Sequence, residues 1–434
     1  MPLSGHRTFV GFGFGAIQAG LFLYEAFRSG SFARLIVGEV APDLVLSLRQ
    51  NAGCYALNVA HADRVETVRV GPVQVENPTD QQGLEHLIDA VAEAEEISTA
   101  VPSVQHYAGS GPGSIHRLLA QGLRKKASGQ GPRAIVYAAE NHNHAAEILE
   151  AAVLAEIPRT EESAVRARVR FLNTVIGKMS GVVAAGDIER GELATVTPGS
   201  SRAFLVEVFN RILISQVCFP PMSGEPHFQR GIAAFTEMED LLPFEEAKLY
   251  GHNATHALAA YLCALRGFER VSDLRSDPDL LIFIRTAFLK ESGEALIRKH
   301  SGKDRLFTPE GYREYAHDLL ERMTNPYLQD TVERVGRDPR RKLGWDDRLV
   351  GTVRLALQQN IVPRRYALGV AAALAALDPS FLREDVPARA LLAPIWGDAA
   401  MQLKGAPDIL NLIEAARPRL KQWCDSGFRQ PLWH

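Results

Sequence analysis

The chain has 434 residues, enough for two or three domains, with 46% hydrophobic and 23% charged residues, an ordinary composition for a soluble globular protein. Its formal charge of −3 excludes a nucleic-acid binder held by bulk electrostatics, which would be basic. The four cysteines (Cys54, Cys218, Cys263 and Cys424) lie far apart and make no C-x-x-C, which argues against a structural zinc site and a disulfide scaffold and fits reduced thiols in a cytoplasmic enzyme.

The apolar run from Thr8 to Phe27 mimics a signal-peptide core, but it holds four glycines, Gln18 and Glu25, and no small-x-small cleavage site closes it. No other stretch approaches the roughly 20 apolar residues of a membrane span, so no membrane partner is expected. Within that run, Thr8 to Phe12 reads as a strand that enters Gly13-Phe14-Gly15-Ala16-Ile17-Gln18-Ala19-Gly20 and then a helix. Strand, glycine turn and helix are the setting in which backbone approaches a pyrophosphate and a helix N-terminus supplies donors, which makes Gly13, Phe14, Gly15, Ala16, Ile17 and Gln18 candidate cofactor contacts. Gln18 stands where a third glycine would, and Gly20 follows two residues later.

A second strand, Ala33 to Gly38, ends at Glu39. A carboxylate there accepts hydrogen bonds from the adenosine ribose and repels a 2′-phosphate, which favours NAD over NADP. A plain strand-to-helix turn with a solvated Glu39 is the competing reading. Strand-like segments recur at Glu96 to Pro102, Arg133 to Ala139 and Arg168 to Asn173. Strands alternating with helices predict a doubly wound, Rossmann-type parallel sheet over residues 1–240. Ligands then lie at the carboxyl ends of the strands, which adds Thr99, Ala100, Val101, Glu140 and Asn141 as cofactor contacts and brings Asn173 to the same region. His142 and His144 look like metal ligands but have no carboxylate or cysteine beside them, so they are read as a solvated turn and no metal is expected.

From about residue 240 the pattern turns helical, as in Asp279 to Ser292, Pro309 to Arg322, Asp347 to Gln358, Tyr366 to Leu377 and Ile409 to Trp423. The boundary is expected near Leu241-Leu242-Pro243, with a mainly α-helical substrate and catalytic domain over residues 241–434. Its central stretch is Ala247 to Leu262, which carries Lys248, Asn253 and His256. At roughly 100° per residue an α-helix spreads the three over an arc of about 140°. An amine, a carboxamide and an imidazole are groups suited to an alcohol that must lose a proton and a hydride. They read equally as a surface lysine, a helix-breaking asparagine and a satisfied histidine. The basic stretch from Arg334 to Lys342 suits an anionic ligand or, with Glu333, Asp338, Asp346 and Asp347 among its bases, a structural ion-pair network.

With Lys248, Asn253 and His256 in K-x-x-x-x-N-x-x-H spacing, the chain resembles the polyol-specific long-chain dehydrogenases and reductases over nearly its whole length. Asn325-Pro326-Tyr327-Leu328, with Arg337, Pro339, Arg341-Lys342-Leu343 and Asp347-Arg348-Leu349, looks most like the mannitol-1-phosphate branch. The resemblance implies a metal-independent, NAD-dependent enzyme in which Lys248 is the general base, Asn173 and Asn253 stabilise the developing oxyanion, and His256 positions the substrate. The chain departs from the family at Gly177-Lys178, where an Asp-Arg pair is usual. It departs again at Ala139-Glu140-Asn141-His142, where the phosphate branch reads Cys-Glu-Asn-Met.

The expected reaction interconverts a polyol or polyol phosphate with its keto sugar. Alternatives are the oxidation and reduction of keto-sugar acids, or an NAD-binding sensor without turnover. Free lysine, with a pKa near 10.4, is a poor base at neutral pH, and burial beside a cationic nicotinamide is expected to lower it. Glu245 is expected to relay the proton, and Arg322, Asn325 and Arg341 to contact substrate. The partner is then a small polyol, polyol phosphate or sugar acid, and the protein a monomer or small homo-oligomer.

Overall fold

The computed structural model describes residues 7–209, 211–221, 227–384, 386–430 and 432. It divides into two compact units, Met1–Leu241 and Leu242–His434.

In the first unit the strands are β1 (Thr8–Phe12), β2 (Arg34–Gly38), β3 (Tyr55–Ala60), β4 (Val65–Val70), β5 (Gln74–Glu76), β6 (Glu96–Thr99), β7 (Ala134–Ala138), β8 (Val169–Ile176), β9 (Ser180–Ala184), β10 (Arg202–Glu207), β11 (Ile212–Ser215) and β12 (Phe235–Met238). Eight of them form one sheet in the order β12-β11-β8-β7-β6-β1-β2-β5. All its pairings are parallel except β11 with β8. The order reverses around β1, between β6 and β2, which is where a doubly wound sheet opens its ligand crevice. The expected Rossmann-type sheet is therefore present. A second sheet, β4-β3-β10-β9, was not foreseen from the sequence.

The central strands β1, β6 and β7 are buried on both faces, and β1 and β7 read as near-continuous apolar runs. Successive residues serve opposite cores: Phe9, Val37, Ile135 and Tyr137 pack on one side, and Val10, Ile36, Ala134 and Val136 on the other.

All the named elements of the second unit among its described residues are helices. At its centre Ala254–Arg266 is buried along almost its whole length, from Ala257 to Cys263, and ends at left-handed Gly267. It packs against Val332–Gly336 and Arg364–Leu377, and the latter also packs on Ala406–Asp425. No helix among the described residues is long and apolar enough to cross a membrane.

Candidate active site

The glycine turn after β1 is shaped by backbone needs. Gly13 has φ of +83°, and a Cβ placed on it would lie 2.9 Å from the Ala100 carbonyl, so only glycine fits. A Cβ on Gly15 would meet nothing within 4 Å, which leaves the turn open on that side. The Phe14 N–H and the Ala41 N–H each donate to the Glu39 carboxylate at 2.8 Å, holding it at the mouth of the turn. An open glycine cradle beside a carboxylate fits a dinucleotide, with the pyrophosphate at the turn and the ribose at Glu39.

Several expected cofactor contacts take other roles through their side chains. Phe14 is buried, edge-on to Tyr55 and Phe204. Gln18 is fully buried in the π-helical turn Gln18–Leu23, fills the space above Gly11, and accepts a hydrogen bond from Ser98 at 2.9 Å. Glu140 is buried too, and accepts from Thr99 Oγ1 at 3.0 Å, from the Val101 N–H at 2.9 Å and from the Tyr107 hydroxyl. Its carboxylate braces the loop that follows β6. Burial pushes its carboxyl up and these hydrogen bonds pull it back. Asn141, His142 and His144 lie in an exposed turn, apart from a half-buried Asn143.

Asn173 stands opposite Ala138 at the end of β7. Its Oδ1 accepts from the Ala146 N–H at 2.9 Å and its Nδ2 donates to Glu147 at 2.8 Å. Both arms of the carboxamide are thus engaged at the N-terminus of Ala145–Ala155, where the helix exposes unpaired N–H groups. Lys178, where the family pattern has arginine, is buried and donates to the carbonyls of Glu207 and Phe209.

The second unit assembles a different chemistry. Ala247–Asn253 is a π-helical turn that passes directly into the α-helix Ala254–Arg266. In such a turn residues five apart are hydrogen-bond neighbours, so Lys248 and Asn253 stack more closely than the α-helical arc allows. Lys248, Asn253 and His256 are all part-buried.

Burial is the main reason the Lys248 amine is lowered from 10.5 to about 8; the Arg348 cation adds to the shift and the Glu245 carboxylate opposes it. Between Lys248 and His256 lies His252, buried, with its ring 6.3 Å from that of His256. Burial holds the His252 imidazole well below its ordinary range, reinforced by Arg322, His256, Lys248 and Arg348. His256 Nε2 lies 3.2 Å from Asp330 Oδ2, and Arg334 binds the other oxygen of that carboxylate. Asp330 is held below the usual carboxylate range, because His256 and Arg334 outweigh its burial.

Arg322 pairs with Asp318 at 2.9 Å while its charge reaches His252. Asn325 caps the short turn Pro326–Leu328, accepting the Tyr327 N–H at 2.9 Å. Arg341 is exposed and paired with Asp338, whose left-handed backbone caps the helix Pro339–Lys342. Its neighbour Lys342 is buried. Arg348, quoted only within Asp347-Arg348-Leu349, and His252 and Asp330 were given no role from the sequence. The i,i+4 spacing of Lys248, His252 and His256 could have flagged the second of them; the other two come from distant segments.

Residues 7–216 match the mannitol dehydrogenase Rossmann domain and residues 240–380 the mannitol dehydrogenase C-terminal domain. The chain belongs to the mannitol dehydrogenase family. As a member of this family it is an oxidoreductase. A mannitol-1-phosphate 5-dehydrogenase of Pseudarthrobacter chlorophenolicus is 30% identical over 388 residues, 89% of each chain. Its namesake from Bacillus licheniformis is 30% identical over 333 residues, 76% of this chain and 79% of that one. The Pseudomonas fluorescens mannitol 2-dehydrogenase, solved as a ternary complex with NAD and D-mannitol, shares the fold with a TM-score of 0.72 at 17% identity, covering 99% of this chain and 95% of that one. A D-sorbitol dehydrogenase shares it with a TM-score of 0.75 at 16% identity, covering 99% and 97%.

Proposed function

We propose that this member of the mannitol dehydrogenase family uses NAD to interconvert a polyol or polyol phosphate with its keto sugar, with Lys248 as the general base. The observation that carries the reading is the Lys248 amine, lowered to about 8 on a π-helical turn that also carries Asn253. A base is most useful when its pKa lies near the working pH, and an amine at 10.5 would hold its proton.

Holding the cofactor falls to the first unit, where Gly13, Gly15 and Glu39 would bind NAD. When bound, NAD supplies the acceptor for the hydride. Handling the alcohol falls to the second unit. Lys248 Nζ takes the hydroxyl proton. The Asn253 carboxamide donates to the oxygen as negative charge develops on it. His256 binds a neighbouring part of the substrate. Glu245, three residues before Lys248 and electrostatically coupled to it, takes the proton on towards solvent.

Arg322 and Arg348 both act on this cluster, which favours a substrate bearing an anion. The names of the 30% identical relatives point to a phosphate. A sugar acid, with its carboxylate in the same place, is the second reading. NADH formation from mannitol, arabinitol, their phosphates and the aldonates decides between them. Lys248→Ala should abolish turnover at neutral pH while NAD still binds. Near-normal turnover in that variant would remove the lysine from the mechanism, and a flat panel with NAD bound would leave a sensor.

A further inference from the structure

We propose that Asp330 is a positioning residue that fixes His256 as the tautomer protonated at Nε2, so that Nδ1 accepts a hydrogen bond from a substrate hydroxyl next to the reacting carbon. The inference deepens the function proposed above and rests on it for the identity of the substrate.

Three observations carry it. His256 Nε2 and Asp330 Oδ2 are 3.2 Å apart, and the two side chains are only 14% and 3% exposed. The carboxylate has one oxygen for each neighbour, since Arg334 occupies Oδ1. The pair is also off the line of a good hydrogen bond, and both atoms are left without one. Catalytic contacts are commonly slack before substrate binds and tighten afterwards. A small rotation of the ring closes this one.

A carboxylate can only accept, so closure requires a proton on Nε2. In the neutral ring Nδ1 then keeps its lone pair and faces the substrate as an acceptor. His252 stands one turn away on the same helix, and around it lie Lys248, Arg322 and Arg348. On the other side Arg334 shares the charge of Asp330. A polyol offers a hydroxyl donor on each carbon beside the one oxidised. An analogue lacking that hydroxyl leaves Nδ1 unsatisfied.

The experiment uses the full chain labelled with 15N-histidine, with the His256 signals assigned by comparison with His256→Gln. Nitrogen shifts of a neutral ring protonated at Nε2 support the proposal. A ring protonated at Nδ1, or an imidazolium at neutral pH, overturns it. Asp330→Asn provides the converse test. With Arg334 on the amide oxygen, its NH2 faces Nε2 and drives the proton to Nδ1. The tautomer signals should then exchange, and kcat/KM for the polyol should fall about ten- to a hundred-fold, chiefly through KM, the size expected when a buried hydrogen-bonding group is left unsatisfied. Asp330→Glu should restore part of it.

The analogue lacking the neighbouring hydroxyl should be turned over equally by the parent protein and by Asp330→Asn. An equal loss on both substrates would mean that Asp330 only supports the fold. If no polyol is oxidised by the parent protein, the functional reading fails while the nitrogen spectrum still judges the tautomer.

Discussion

The Lys248 amine and the Arg348 guanidinium come from segments a hundred residues apart, yet the second cation helps to hold the first below the usual ammonium range. Like charges raise the cost of protonating the lysine, in the same direction as its burial. Glu245 pulls the other way. The base is therefore tuned by a cation and an anion that can be altered separately.

Alcohol oxidation needs the unprotonated amine, so kcat/KM should rise with pH through about 8. Arg348→Met removes the cation and should move that midpoint to higher pH. Glu245→Gln removes the anion and should move it lower. Rate profiles of the three proteins check this, and shifts in one common direction would contradict the assignment.

The two asparagines should separate on substitution. Asn253→Ala removes the proposed oxyanion donor and should cost about 10²- to 10³-fold in kcat with little change in stability. Asn173→Ala frees the Ala146 N–H and Glu147 at a helix start and should cost about 1 kcal/mol of stability. Denaturant unfolding read beside kcat distinguishes them. A kcat loss at Asn173 as large as that at Asn253 would assign it the oxyanion role as well.

Gly13→Ala should weaken NAD binding and destabilise the first unit by about 1–3 kcal/mol, because a non-glycine residue is strained at this φ and its Cβ meets the Ala100 carbonyl. Calorimetric titration with NAD and thermal unfolding are the measurements.

Glu291 is buried, with its carboxylate accepting from the N–H groups of Arg365 and Tyr366. Burial raises its carboxyl from 4.5 to about 7, and the hydrogen bonds oppose the shift. Between these values the folded protein keeps a proton that the unfolded chain has released. Stability from this group is thus complete below about 4.5 and is lost as pH rises through about 7. Glu291→Gln should flatten that part of the Tm profile.

Much of the candidate site is local in sequence and so was legible there. The glycine turn and Glu39 follow from strand-turn-helix order. Lys248, Asn253 and His256 share one helical run. Neighbours along the chain share a face whatever the rest of the molecule does. Even here the register was misjudged, since only the folded helix shows the π turn that brings Lys248 and Asn253 together. The second sheet was missed for a related reason. Its β3–β4 and β9–β10 pairings are local, but the β3–β10 pairing that joins them into one sheet spans more than a hundred residues, and a short apolar run does not announce which sheet it joins.

From the sequence alone came the family, the two kinds of architecture, and the amine, carboxamide and imidazole that would act on an alcohol. The tertiary structure alone decided which charges stand beside them: Arg348 at Lys248, Asp330 at His256, and Glu147 with the Ala146 N–H at Asn173. The division is physical. Backbone periodicity acts over a few residues, whereas desolvation and charge pairing depend on segments brought together by folding, and these fix the protonation state and tautomer that the chemistry needs.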